Sequence, residues 1–387
     1  MKICLLFREE IKYLLGGKVP PVVILITLPV IFTALFGIIY EENVVNHIPL
    51  AIYDQDQTSL SRKLVQMYED AERFRAVSYV SDDEEMEKEI RTGNVKAALI
   101  IPADFSKNIQ SGQGTNILLT VNSANNMFGN AALSAAQEIN RSFTVAISEK
   151  LLEGNGLLPA EAVSTAYSIR LGVRILGNPA NGYSPFMLSG LLLNGLQIGI
   201  MIVLSPYLYD ELQRRKKRHG IGEWLLPLVR AVPYGLFAFI GYCLALCMAV
   251  NIFSLPMRGS WTEAMLLGIC FIIFVMGAIS LFSICAPIRI MTLQAPMLYI
   301  MPGLLYSGLS WPIFDMSEYA TAFAFLLPMT YAGDTLRDIL LMSYAPSLLE
   351  NCVRMVIGGL LAAFLSICIF WLRSRDDQGW FSAGTGA

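Results

Sequence analysis

The sequence predicts a polytopic α-helical membrane protein with six transmembrane helices, arranged one plus five, and an α/β extracytoplasmic domain inserted between the first and second helices. Three observations carry this. Apolar runs fall at residues 20–40, 185–207, 231–252, 264–287, 291–313 and 353–372, each close to the ~20 residues that cross ~30 Å of hydrocarbon as helix. A polar stretch, residues 41–184, separates the first run from the other five. The composition, 55% hydrophobic and only 15% charged over 387 residues, is too apolar for a soluble two-domain chain.

Residues 1–19 read as a cytoplasmic interfacial helix, with Ile3, Phe7, Ile11, Leu14 and Leu15 on one face and Lys2, Arg8, Glu9 and Lys12 elsewhere. Gly16 and Gly17 break it, and Pro20 and Pro21 open the first span at 20–40. That span is too long, and ends in side chains too bulky (Ile38, Ile39, Tyr40), for a cleaved signal peptide, so it is expected to stay attached.

The domain at 41–184 alternates strands and helices. Apolar runs at 48–53, 77–80, 95–101 and 116–121 suit strands, the third being the strongest. Thr58 is placed to cap a helix carrying Leu60, Leu64, Met67 and Tyr68, and Ser81 with Glu84 forms a capping-box pattern before a helix that Gly93 ends. A short helix with Phe105 and Ile109 and a long one over 125–152 complete a small α/β domain with a largely buried sheet. It has no cysteine, so its core holds without disulfides. The acidic run from Asp82 to Glu89 reads as a solvated helix face that complements the helix N-terminus.

The five-helix region is assigned to 185–375. Within it, 315–350 offers two segments too short to cross, interrupted by Pro328, which read as helices at the outer interface; 376–387 is left as a cytoplasmic tail. Orientation follows from Lys and Arg in the short loops. Lys2, Arg8, Lys12, Lys18, the run Arg214 to Arg218, Arg230, Arg289, Arg373 and Arg375 lie on one side, against Arg258, Arg337 and Arg354 on the other. Both termini are therefore expected in the cytoplasm and the α/β domain outside.

Several chemistries are excluded or disfavoured. His47 and His219 are far apart and on opposite sides of the membrane by this topology, and Cys243 and Cys247, one turn apart, have no His or carboxylate beside them; no metal site or catalytic residue is predicted. No phosphate-binding Gly-rich loop is present, since Gly16-Gly17-Lys18 continues with Val19 into a span. The spans as drawn contain no ionisable residue of the Asp, Glu, Lys, Arg or His type apart from Arg354 at the very start of the sixth, and none near mid-membrane, which disfavours an ion-coupled carrier. The net charge of -3 says little about partners, and nothing points to nucleic acid.

Several stretches then resemble one family in order along the chain. Ile48-Pro49-Leu50-Ala51-Ile52 with Asp54, Gly93 through Ile101 with Pro102, Phe105 and Ser106, and Asn178-Pro179 come first. Pro256, Arg258, Gly259 and Ser260 follow, then Thr292, Gln294 and Ala295. The most distinctive is Ser307-Gly308 with Trp311-Pro312, Met316, Leu327-Pro328 and Thr330. Together they are similar to the membrane subunit (permease) of type-2 ATP-binding-cassette (ABC) exporters, the branch with a large extracytoplasmic domain after the first helix. The cytoplasmic loop departs from that family's acidic-basic-glycine signature, keeping only the acidic start at Asp210 and Glu211, the basic middle and Gly220.

The resemblance implies two permease subunits, identical or related, and two separate ATPase subunits that carry ATP and Mg, with none on this chain. It places the pathway at the permease interface and the outer interfacial helices over its outer end. A bacterial inner-membrane location and a membrane-fusion partner fit the same picture. Asn194, Gln197, Gln294, Tyr299, Tyr306 and Trp311 are the candidate pathway residues. Polar groups in lipid face protein or a cavity, and their alternative role is interhelical bonding, or for the aromatics an interfacial belt. Glu211, Arg214, Arg215, Gly220 and Glu223 are the candidate ATPase-coupling residues; the basic run among them also serves as topology signal or lipid-headgroup contact. The uncharged, Met- and aromatic-rich bundle favours amphipathic or lipid-like cargo over ions or sugars. The rival readings are an ion-coupled secondary transporter and a membrane-anchored scaffold or receptor.

Overall fold

The computed structural model describes residues 2–17, 20–41, 45–111, 113–123, 126–154, 178, 182–215 and 221–375, and clusters into two compact units: Val44–Arg174, and Met1–Asn43 with Ile175–Ala387. Gly220, most of the basic run, Pro179 and the tail 376–387 lie outside the described residues.

The first unit is built on a four-stranded sheet. Strand β1 (Ile48–Asp54) buries Ile48, Leu50 and Ile52 on one face and Ala51 on the other. Thr58 caps α3 (Ser59–Glu69) by accepting from the Ser61 amide at 3.3 Å, while the Ser61 hydroxyl accepts from the Thr58 amide at 3.0 Å. Strand β2 (Phe74–Tyr79) follows, then α4 (Asp83–Thr92). The cap of α4 sits one residue later than the sequence pattern suggests. Asp82 accepts from the Glu85 amide at 2.7 Å, and Ser81 instead donates its amide to the Glu85 carboxylate. Gly93 ends the helix with φ 78°.

Strand β3 (Ala97–Ile101), α5 (Phe105–Gln110), β4 (Leu118–Val121) and α6 (Asn126–Gly154) complete this unit. The strand order is β2-β1-β3-β4, parallel across the first three, with β4 antiparallel to β3. One sheet face carries Leu50, Ile52, Leu99 and Ile101, packed with Leu64 and Tyr68 of α3, Phe105 of α5 and Phe143 of α6. The other buries the small Ala51 and Ala98, with Val95 beside them, under Met86 and Ile90 of α4. Each buried Leu or Ile contributes about 1.5–3 kcal/mol on removal from water, so the first face holds most of this unit's stability.

The second unit is helical. Helix α1 (Lys2–Leu15) ends at the Gly pair, and α2 (Pro21–Ile39) starts with Pro in its first turn, where a missing amide costs nothing. The long helices that follow the α/β unit are α7 (Tyr183–Arg215), α8 (Ile221–Asn251), α9 (Trp261–Cys285) and α14 (Leu348–Arg375). Between the last two lie α10 (Met291–Ile300), α11 (Gly303–Tyr306), a 3-10 turn (Ile313–Asp315), α12 (Glu318–Ala324) and α13 (Pro328–Leu341). Pro21–Ile39, Tyr183–Arg214, Leu226–Asn251, Trp261–Cys285 and Leu348–Leu372 are long and apolar enough to cross a membrane.

The single span expected at 291–313 is corrected to a broken element. Pro302 lacks the amide a continuing helix needs, and Gly303 follows it, so α10 stops after 10 residues. At 1.5 Å per residue that is roughly 15 Å, about half the hydrocarbon thickness. Two other helices run beyond the spans drawn from hydropathy. Helix α7 continues through Asp210 and Glu211, and α8 starts early enough to include Arg230, so ionisable residues do sit on the long apolar helices, near their ends.

Helix packing in this unit rests on small residues and hydroxyls. A methyl group on Gly277 of α9 would overlap the Gly359 carbonyl of α14, and one on Gly359 would come within 2.7 Å of the Ile273 carbonyl. The two backbones therefore touch, as glycine interfaces in membranes allow. Ser280 and Ser366 bond across the same contact at 2.9 Å; Ser205 of α7 reaches Ser283 at 2.8 Å and donates to the Thr292 carbonyl at 2.5 Å.

Candidate functional site

The break between α10 and α11 lies against a polar pair on α7. Asn194 and Gln197 are one turn apart, and Gln197, fully buried, donates Nε2 to Asn194 Oδ1 at 2.8 Å. The Gln197 oxygen makes no hydrogen bond, a state that costs about 1–3 kcal/mol for a buried acceptor. Gly303, at the start of α11, packs beside this amide; a methyl group there would lie 3.7 Å from Gln197 Nε2.

The other candidate pathway residues are placed differently. Tyr299 donates to the Leu326 carbonyl at 2.5 Å, and the Tyr306 ring meets Phe323 edge-on at 5.2 Å, so both tyrosines hold the broken helix to the α12 region. Trp311 is half exposed and donates Nε1 to the Asp315 carbonyl at 3.3 Å. Gln294 is exposed on α10, and with Met291, Leu298, Met301 and Leu305 it forms an exposed row stepping by three and four residues. That is the spacing of a helix–helix seam. The structure thus joins Asn194 to Gln197 beside Gly303, and leaves Gln294 and Trp311 apart from them.

Beside the same region, Asp334 of α13 bridges Arg337 at 2.8 Å, and the Arg337 guanidinium sits 5.0 Å from the Phe186 ring centroid of α7. Burial pushes the carboxyls of Asp334 and Asp338 above the ordinary carboxylate range, against the pull of Arg337.

At the other end of α7 three elements converge on Arg230. Its Nη1 lies 3.0 Å from Glu10 of α1 and 3.5 Å from Glu211 of α7, and its Nη2 lies 3.9 Å from Glu9. Glu10 and Glu211 are buried, with 4% and 5% of their surface exposed. Glu211 therefore turns inward rather than presenting a free acid to a partner. Burial, outweighing the hydrogen bond from Tyr207 and the pull of Arg230, raises the Glu10 carboxyl above its usual range. Nearby, Arg289 pairs with Asp210 at 3.1 Å, while Arg214 is exposed. Arg215 is the last residue of α7 and Glu223 lies in the first turn of α8, while Gly220 is outside the described residues.

Sequence reasoning missed Glu10 and took Arg230 only as a topology charge. The available signal was an acid one helical turn from apolar Leu14, and an arginine at the mouth of a span.

An apolar groove of about 780 Å³ runs among α7, α8, α9 and α14, lined by residues such as Leu208, Leu236, Ile269, Met276 and Phe364. None of the candidate pathway residues lines it, and it lacks the convergent polar groups that orient a ligand. Cys243 lies 3.4 Å from the Met265 sulfur, and no metal-binding group of three or more His, Cys, Asp or Glu occurs among the described residues.

Comparison with known proteins bears on what these parts do. Residues 22–368 match the family described as "ABC-2 family transporter protein". Two curated relatives from Escherichia coli (strain K12) are similar over most of their length. "Probable multidrug ABC transporter permease YbhR" is 22% identical over 350 residues, covering 89% of this chain and 91% of the relative. "Probable multidrug ABC transporter permease YbhS" is 22% identical over 308 residues, covering 76% and 77%.

Proposed function

The chain belongs to the ABC-2 transporter family and is a membrane permease subunit of an ABC exporter; from that premise we propose that it supplies half of a translocation pathway for amphipathic or hydrophobic cargo, driven by ATP and Mg on a separate ATPase. Both relatives carry "multidrug" in their names, which supports a cargo of drug-like or lipid-like chemistry. The second half of the pathway is a second permease subunit, identical or related. The observation that carries this is the exposed row on α10 and α11. An exposed Gln294 among Met291, Leu298, Met301 and Leu305 leaves an amide facing hydrocarbon unless protein covers it. The buried Asn194–Gln197 pair behind the helix break supports a pathway that opens where α10 and α11 meet.

In this reading the broken stretch from α10 through α11 still completes one crossing, so Arg214, Arg230 and both termini face the cytoplasm, and the α/β unit is extracytoplasmic, available to a membrane-fusion protein. The lack of charge in the middle of the long apolar helices disfavours the ion-coupled alternative, since the ionisable residues they carry, Glu211, Arg230 and Glu263 among them, lie near helix ends. In a cysteine-free background, a cysteine at Asp83 is expected to react with a membrane-impermeant thiol reagent added outside, and one at Arg214 is not. Equal labelling of both from outside would refute this orientation. The seam is tested by Gln294→Cys, which is expected to give an oxidised permease dimer in membranes. A lack of crosslinking along 291–305, with crosslinks instead on α14, would move the interface.

A further inference from the structure

Arg230 sits where three separately encoded pieces of the chain meet: the amphipathic α1, the end of α7 and the first third of α8. Its Nη1 serves Glu10 at 3.0 Å and Glu211 at 3.5 Å, and its Nη2 reaches toward Glu9 at 3.9 Å. Around it, Arg230 Nε and the Tyr234 hydroxyl are buried without hydrogen bonds, and the buried Tyr207 hydroxyl lies against Glu10. Leu14, fully buried one turn beyond Glu10, anchors α1 in the same core as Leu208 and Tyr234.

The arrangement is poorly explained as a stabiliser. Two buried carboxylates meet at one guanidinium, and desolvating such a cluster commonly cancels its Coulombic gain. An apolar packing of the same volume would hold the helices as well. What an ion cluster adds is a fixed register among the elements it joins.

We propose that Arg230 is a positioning residue that locks α1 to the end of α7, so that displacement of either at this end of the bundle moves both during the transport cycle. The proposal rests on the exporter reading only for its role in transport; the lock itself is a property of this chain. Glu211 then acts through Arg230 and not as a docking acid, and α1 is a moving part of the bundle and not a passive interfacial anchor. A push on the loop after α7 is passed through Glu211 and Arg230 to Glu10 and along α1. Asp210, held by Arg289, keeps the other side of the α7 end in register with the start of α10.

The test uses the neutral triple variant Glu10→Gln, Arg230→Met, Glu211→Gln, which removes the lock without leaving a buried unpaired charge. Two readouts separate the claims. Hydrogen exchange along 2–15 in the intact chain, with no ATPase present, is expected to quicken by about tenfold or more if the lock holds α1. With the cognate ATPase, cargo exported per ATP hydrolysed is expected to fall about fivefold or more. The charge-reversed pair Glu10→Arg with Arg230→Glu, which restores one arm of the lock, is expected to recover part of that ratio where Arg230→Glu alone does not. Unchanged exchange in α1 overturns the lock. Faster exchange with an unchanged export ratio overturns its role in transport, while leaving the exporter assignment untouched. If the triple variant does not accumulate, Glu10→Gln alone is measured in the same two ways, and the same results support or overturn the lock.

Discussion

In the α/β unit the fully buried side chains include Leu50, Leu99 and Ile101 at the centre of a sheet, and its exposed large apolar groups are spread over separate elements, as at Val77, Leu118 and Leu133. In the helical unit exposed apolar groups run along entire faces: Leu349, Val353, Ile357, Leu360 and Phe364 on α14, or Ile31, Leu35 and Ile38 on α2. The interior of the helical unit, by contrast, carries Gly277 against Gly359, serines bonded across helices, and the Arg230 cluster. The contrast is what two solvents impose. Water drives Leu and Ile inside, whereas lipid is indifferent to them, so helices in lipid associate through close backbone approach and polar bonds.

That comparison breaks most visibly at the glycine contact. Gly359→Leu forces a side chain into the Ile273 and Phe274 backbone, and the expected cost is about 3 kcal/mol, enough to lower the amount of folded chain in membranes. Fluorescence-detected size-exclusion chromatography in detergent reads the loss; normal accumulation would mean that α9 and α14 do not pack as described.

Next in size is a matched pair. Leu360 and Val77 are 60% and 53% exposed, so a soluble-protein rule treats them alike. In lipid, Leu360→Asp is expected to cost about 2.5–3.5 kcal/mol toward the middle of a span, whereas Val77→Asp in the α/β unit is expected to stay within about 0.5 kcal/mol. Glycosylation-site mapping of insertion efficiency and thermal melting measure the two. Equal effects would erase the distinction between the units.

Smaller effects sharpen the α/β side. Thr58→Ala removes the α3 cap and one partner of Asp56, with an expected loss of about 1 kcal/mol in the unfolding of this unit. Asp56 also gives a pH signature. Burial works to raise its carboxyl, but hydrogen bonds from Ser106 and Thr58 outweigh that and hold it below the ordinary range. Because the folded form holds the proton less readily, the stability Asp56 contributes is full above the ordinary carboxylate pKa of ~3.9 and is lost as pH falls through the lower folded value. Melting of the α/β unit followed across the acid range, from near neutrality to below that folded value, is expected to show this loss, and Ser106→Ala to shrink it. An unchanged slope would place the acid sensitivity elsewhere.

Local chemistry was legible wherever the cause is local. Thr58 and Gly93 were readable as a cap and a stop because the groups they serve lie within a turn. The cap at Asp82 instead of Ser81 shows the limit, since two adjacent residues offer the same chemistry and only the phase of Met86 and Ile90 on Ala51 and Ala98 decides. Hydropathy could not see that 291–313 breaks, because Pro302 and Gly303 leave the mean apolarity intact while removing the backbone bond. Of the candidate site residues, Asn194 and Gln197 meet because three residues on one helix must. Glu10 and Glu211 meet at Arg230, across 220 positions of sequence for the longer arm, and no periodicity carries that.

The energy source is the central claim, and reconstitution tests it most directly. The purified chain, placed in proteoliposomes with its cognate ATPase and Mg-ATP, is expected to move a hydrophobic fluorescent cargo. It is expected to be idle with ATP when the ATPase is omitted, and idle under a proton or sodium gradient alone. Transport by the isolated chain on an ion gradient would contradict the account.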